Sequence, residues 1–240
     1  MKQNKYDYDS FFAAYKEMPR SQKGLEGAGE WPLLKKMLPP FVGKSVLDLG
    51  CGFGWHCRHA REEGAKKIIG VDLSEKMLQE ARKMTSDAAI TYTKGAIEEI
   101  DFPKCSFDIV VSSLAFHYVQ SFDAVCKKVK DVLKPGGTFV FSVEHPIFTS
   151  RSEQDWYYDD AGNKLHFPID RYKEEGVRNT SFLANDVIKY HRTISTYLQN
   201  LLTNGFQITA VEESGAPALM PQWKDEDRRP MFLLISAVKK

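Results

Sequence analysis

The chain has almost no excess of either charge: 33 Lys and Arg stand against 32 Asp and Glu in 240 residues. Such a balance gives no electrostatic drive toward nucleic acid or an anionic membrane, and no basic arm supplies one locally. Cysteine is scarce. Cys51, Cys57, Cys105 and Cys126 make no C-x-x-C pair and match no zinc-ligand spacing, so reduced thiols are expected and a metal site is not. No apolar run is long enough to span a bilayer, and the stretch from Met1 to Asp9 has no apolar segment behind its basic residues. These absences point to a cytoplasmic protein without membrane or nucleic-acid partners. Internal repeats and low-complexity stretches are also missing. A 42% hydrophobic composition suffices for a single domain with an elaborated insertion, but is short for two independent ones.

What is present is a glycine loop. Val46-Leu47-Asp48-Leu49-Gly50-Cys51-Gly52-Phe53-Gly54 reads as a buried strand running into a turn that opens a helix. Glycines at alternate positions let backbone approach a ligand closely and allow turn conformations that other residues resist. A dinucleotide fingerprint needs a third glycine where this chain has Trp55, which counts against a nicotinamide-dependent oxidoreductase. The next apolar run, Lys67 to Val71, ends at Asp72, a carboxylate placed where ligands of open α/β sheets sit and able to accept both hydroxyls of a ribose.

Around this loop the chain alternates strands and helices. Asp9 or Ser10 caps a first helix carrying Phe11, Phe12, Tyr15 and Met18, and Pro32 opens a second that Pro39-Pro40 stops. Strands are expected at 45–49, 67–72, 90–94, 107–112 and 138–144, with helices from Trp55, from Ser74 and from Ser121, and Lys134-Pro135-Gly136-Gly137 as the turn before the fifth strand. The rhythm breaks from His145 to about Thr193, where aromatic and charged residues dominate, and returns with a helix near Tyr197 and runs at 206–211 and 231–238. The fold class expected is α/β: a doubly wound, mostly parallel sheet covered on both faces.

A glycine loop with a ribose carboxylate but no third glycine resembles the nucleoside site of the class I S-adenosylmethionine-dependent methyltransferases. Ser106 to Ser113 is similar to the family's fourth-strand motif, and Leu133 to Phe139 to the turn into its fifth strand. The resemblance covers roughly residues 45–144 and 195–240. It implies a seven-stranded sheet with an antiparallel last strand, residues 1–44 as a helical lid, 45–145 and 195–240 as the Rossmann-like core, and 146–194 as an inserted substrate cap. The cofactor implied is S-adenosyl-L-methionine, leaving as S-adenosyl-L-homocysteine. The resemblance puts the backbone of Ala96 and Ile97 along the adenine edge with Glu98 nearby, since Gly95 is followed by Ala96 where the family commonly has an acid. It packs Leu73 on the adenine face, and sets Asp48, the Gly50-Cys51-Gly52 backbone and the Ser113-Leu114 loop around the cationic end of the ligand. Tyr15 would reach the ligand from the lid.

Methyl transfer from a sulfonium is an in-line displacement that asks for alignment and exclusion of water, and for a base only where the accepting atom carries a proton. His117, in the loop after the fourth strand, is the first candidate base, and His145, at the end of the fifth, the second; a hydrogen-bonded structural histidine is the competing reading of each. In the insertion, Lys189 to Thr193 groups Lys189, His191 and Arg192, and Arg171-Tyr172-Lys173 does something similar. Arg192 and His191 could grip an acidic group of an acceptor, with Trp156 and Tyr172 walling an apolar body; a mixed solvated surface is the competing reading. Arg228-Arg229-Pro230 reads as an exposed turn. A small-molecule acceptor is expected, against RNA or protein methylation or a non-catalytic binding protein as alternatives.

Overall fold

The computed structural model describes residues 3–215 and 221–240. Three helices precede the sheet: α1 (Asp9–Lys16), α2 (Pro19–Gln22) and α3 (Trp31–Met37). Pro19 and Pro32 lie in the first turns of α2 and α3, where a missing N–H removes no helical bond. Neither Asp9 nor Ser10 caps α1. Tyr8 holds that position without a side-chain bond, because the nearby acids serve another helix: Asp9 pairs with Lys76, and Asp7 accepts from Ser74 Oγ at 2.6 Å and from the Lys76 amide at 3.2 Å. Met18 lies beyond α1 and caps α2 instead.

The chain then alternates through β1 (Ser45–Leu49), α4 (Trp55–Glu62), β2 (Lys67–Asp72), α5 (Glu75–Lys83), β3 (Ile90–Lys94), β4 (Phe107–Ser113), α6 (Phe122–Val132) and β5 (Leu133–Glu144). Ser74 and Ser121 cap α5 and α6 by accepting from the amides of Met77 and Ala124. β5 starts earlier than expected. Leu133 already pairs with Phe107, and the register jumps before Thr138, so 134–137 is a bulge inside the strand, with Gly136 at φ +73°, rather than a turn before it.

The aromatic insertion contains α7 (Pro146–Thr149) and two antiparallel hairpins, β6 (Tyr157–Tyr158) with β7 (Lys164–His166) and β8 (Gly176–Thr180) with β9 (Val187–His191). The chain returns to the sheet through α8 (Ile194–Thr203), β10 (Phe206–Glu213) and β11 (Phe232–Lys239). Strand order is β10-β11-β5-β4-β1-β2-β3, and β11 alone runs antiparallel to its neighbours. All five β1 residues are buried and alternate between two cores. Val46 packs with Cys57, Ala60 and Leu78 of α4 and α5, while Leu47 and Leu49 pack with Phe122, Val129 and Leu201 of α6 and α8. Strand order reverses at β1, between β2 and β4, which places a crevice at the carboxyl ends of β1, β2 and β4. No helix among the described residues is long and apolar enough to cross a membrane.

Candidate functional site

The glycine loop fills that crevice, and its glycines have different jobs. A Cβ on Gly50 would sit 2.5 Å from Ala115 Cβ, and one on Gly54 2.1 Å from Tyr92 Oη, so these two are required by packing, at φ +76° and +73°. A Cβ on Gly52 would meet nothing closer than Met77 Cε at 3.9 Å; here the backbone faces open space. The Gly52 amide donates to Asp72 Oδ2 at 2.8 Å, and the Ser74 amide to Asp72 Oδ1 at 2.9 Å. Burial nevertheless pushes this half-buried carboxyl above its ordinary range, an environment that suits hydroxyl donors from a ligand.

Above the loop lies a cavity of about 480 Å³. Its wall takes Gly50, Cys51 and Gly52 from the loop, Asp72 and Leu73 from the end of β2, and Ala96, Ile97 and Glu98 from the turn after β3. Ser113 and Leu114 from the end of β4, Tyr15 from α1, and His117 also belong to it. Asp48 does not. It lies beneath the loop, 1% exposed, where Oδ2 accepts from Cys57 Sγ at 3.3 Å and Oδ1 has no partner; burial pushes its carboxyl up to about 7, with Asp72 adding to the effect.

A second wall lies beyond the β4 loop. The backbone amide of Glu144, at the end of β5, donates to His117 Nδ1 at 3.4 Å, and the imidazole is buried. Burial holds that ring down at about 4; Glu144 opposes this, while Lys189, Arg192 and Arg20 reinforce it. Lys189 of β9, 1% exposed, donates to Glu144 Oε1 at 2.6 Å and to Gln154 Oε1 at 3.0 Å, and Gln154 closes the ring by donating to Glu144 Oε2 at 3.1 Å. Tyr6 and Tyr118 meet at 3.3 Å between hydroxyls, both pushed up by burial. Arg20 of α2 pairs with buried Glu30, which also accepts from Ser113 Oγ at 2.8 Å.

The remaining sequence candidates lie away from the cavity, each held by a structural partner. His145 is fully buried; Nδ1 caps α7 by accepting from the Ile147 amide at 3.0 Å, and Nε2 lies 2.7 Å from Glu213 Oε1. His191 bridges Thr149 Oγ1 and the Tyr172 carbonyl, while the Tyr172 hydroxyl meets the Ile194 amide. Arg192 donates to the carbonyls of Phe116 and Val119, bracing the loop that carries His117. Trp156 packs against Phe167 and the guanidinium groups of Arg228 and Arg229. Arg229 is itself buried and paired with Glu226 at 2.7 Å, not an exposed turn residue.

Sequence reasoning missed Arg20, Glu30, Glu144 and Tyr6 on the cavity wall, and singled out Lys189 only as one of a basic group. One signal was available for Glu144: like Asp72, it is an acid at the carboxyl end of a strand. The cavity also leaves buried wall atoms unpaired, Trp55 Nε1 and Asn4 Oδ1 among them. Buried polar atoms are nearly always bonded, so these mark places for polar atoms of a ligand.

Comparison with known proteins adds further likenesses. A family model described as a methyltransferase domain matches residues 47–141. An uncharacterized protein of Haemophilus influenzae is 38% identical over 98% of this chain and 96% of its own. Among solved structures, an S-adenosylmethionine dependent methyltransferase from Mesorhizobium loti, 47% identical, matches with TM-score 0.84 over 90% of this chain and 100% of that one. A provisionally named S-adenosylmethionine dependent methyltransferase from Listeria monocytogenes, 57% identical, matches with TM-score 0.84 over 88% and 98%. Relatives named for an acceptor are matched over less of their length: 36% for the malonyl-[acyl-carrier protein] O-methyltransferase of Erwinia pyrifoliae and 57% for the tRNA U34 carboxymethyltransferase of Hahella chejuensis.

Proposed function

Because the chain belongs to the class I S-adenosylmethionine-dependent methyltransferases, with S-adenosylmethionine as its donor, we propose that it methylates a small molecule inside the cavity between the glycine loop and the β5–α8 insertion. The observation carrying this reading is the make-up of that cavity's wall. Elements from both ends of the fold wall it: Tyr6 and Arg20 from the N-terminal segment, and Lys189 and Phe182 from the insertion. A volume of about 480 Å³ falls in the range of small-molecule sites, roughly 300–1,000 Å³. The near-equal counts of acidic and basic residues offer no attraction to RNA.

In this reading Asp72 takes the ribose hydroxyls, the backbone of Ala96 and Ile97 runs along the adenine, and Gly52 admits the ligand close to the chain. Asp48, behind the loop, braces it through Cys57 and biases the local field toward a cationic ligand. When bound, the donor supplies an electrophilic methyl on sulfur. The chain's own tasks are to align an acceptor with it and to keep water out, and residues 3–22 perform the second as a lid. Gln3 joins the lid to the insertion, donating to the Asp186 carbonyl and accepting from the Ile188 amide, while Asn4 donates to the Leu73 carbonyl beside the adenine site. We place the activity in the cytosol, in keeping with four free thiols.

Calorimetry with S-adenosylhomocysteine tests the donor site. Asp72→Ala should weaken binding by ~1.5–3 kcal/mol, roughly 10- to 150-fold, through loss of charge-assisted bonds. Unchanged affinity in a folded variant removes Asp72 from the ribose role.

A further inference from the structure

We infer that the acceptor is a small carboxylate, bound as the anion against His117, Lys189 and Tyr118 and converted to its methyl ester with no proton transferred to the protein. This rests on the small-acceptor reading above and goes further by naming the accepting group.

The geometry removes the proton acceptors one at a time. His117 Nδ1 already receives the Glu144 amide, so the neutral ring carries its proton on Nε2 and presents a donor, not a base. Burial keeps the ring uncharged at neutral pH, consistent with that role. Tyr6 and Tyr118 are buried phenols; the Tyr6 hydroxyl donates to that of Tyr118 at 3.3 Å, which leaves the Tyr118 hydroxyl as a donor. Glu144 accepts from Lys189 and from Gln154, and against the effect of burial the positive charge of Lys189 helps hold its carboxyl below the ordinary range, which makes it a poor base. An alcohol, phenol or ammonium acceptor must shed a proton on this wall, and none of these groups takes it. A carboxylate, with an ordinary pKa near ~4, arrives with its lone pair free.

The charges facing His117 agree. Lys189 of β9 is balanced by Glu144 of β5, and Arg20 of α2 by Glu30. Arg192, buried behind the β4 loop, donates to the Phe116, Val119 and Tyr190 carbonyls and forms no ion pair among the described residues. Arg192 thus adds a positive charge behind the His117 end of the cavity, while the Asp72 carboxylate lies at the donor end, and this polarity favours an anion beside His117 over a neutral or cationic acceptor. The Lys189 ammonium, with three N–H groups, makes two hydrogen bonds and lies over the Phe182 ring, 5.2 Å from its centroid. In the transfer, one carboxylate oxygen supplies the pair for the new O–C bond. The pair of the breaking S–C bond stays on sulfur, which becomes a neutral thioether.

Methyl-labelled donor, incubated with the full-length protein and separate small-molecule, RNA and protein fractions of one cell extract, provides the test. Mild alkali then releases volatile methanol from methyl esters alone. Alkali-labile label in the small-molecule fraction is the expected result. Alkali-stable label in that fraction overturns the carboxylate assignment and leaves the small-acceptor reading standing. Label confined to RNA or protein, or to no fraction, overturns both. With the acceptor so found, Lys189→Met should raise its KM at least ~10-fold with kcat and donor affinity little changed, and Lys189→Arg should recover most of the loss. An equal fall in kcat at unchanged KM, or an acceptor kcat/KM measured at saturating donor that climbs between about pH 5 and 8 as a base would require, contradicts the assignment.

Discussion

Asp48 illustrates how a residue read correctly as buried and acidic can still be misplaced by sequence. The wall begins only two residues further on, at Gly50, yet strand alternation turns the Asp48 side chain under the loop, toward Cys57 of α4. Burial raises its carboxyl from the ordinary carboxylate range to about 7, so the folded protein holds this proton more tightly than the unfolded chain does. Its contribution to stability is therefore intact below about pH 4 and lost as pH rises through about 7. His56 and His117, both held down at about 4 by burial, act in the opposite sense, their contribution being lost as pH falls from about 6.5 toward 4. Asp48→Asn should accordingly stabilise the ligand-free protein at pH 8, by up to ~4 kcal/mol, and change little at pH 4. Urea unfolding of both proteins at the two pH values checks this; a stability difference that does not depend on pH contradicts the burial argument.

Among elements, those with a local signal were legible. The glycine loop, the serine caps of α5 and α6 and the apolar faces of α6 and α8 each follow from a few neighbouring residues. The hairpins β6–β7 and β8–β9 were not: β6 and β7 are two and three exposed residues, and although β8 and β9 alternate in burial, their buried positions include Arg178, Thr180, Lys189 and His191, so the sequence shows no alternation of apolar and polar residues. The same limit hid the wall opposite the donor: Lys189 meets Glu144 across 45 residues of chain, and nothing local announces that pair. It also misassigned Arg192, whose partners are backbone carbonyls 73 and 76 residues away. Arg192→Met removes the partner of the buried Val119 carbonyl, at about 1–3 kcal/mol, while the Phe116 carbonyl keeps the Val119 amide. A lower melting temperature is expected, with acceptor turnover reduced more than S-adenosylhomocysteine affinity, since the ribose and adenine contacts rest on β2 and β3 and only Ser113 and Leu114 come from the β4 end. A variant that melts like the wild type shows that Arg192 does not brace the β4 loop.

At the scale of the molecule, the sheet places every expected donor contact but Asp48 on one cavity because the strand order reverses at β1. The insertion and the N-terminal segment then close it from two sides. The sequence pattern determined which ligand class the crevice suits. It left the accepting group undetermined, since that depends on side chains brought together only by the closed fold. The most direct measurement is a crystal structure with S-adenosylhomocysteine bound. The expected result is ribose hydroxyls on the Asp72 carboxylate, adenine along Ala96 and Ile97, and the sulfur facing a free volume bounded by His117, Glu144 and Lys189. A ligand whose sulfur points away from that wall, or whose ribose leaves Asp72 untouched, contradicts it.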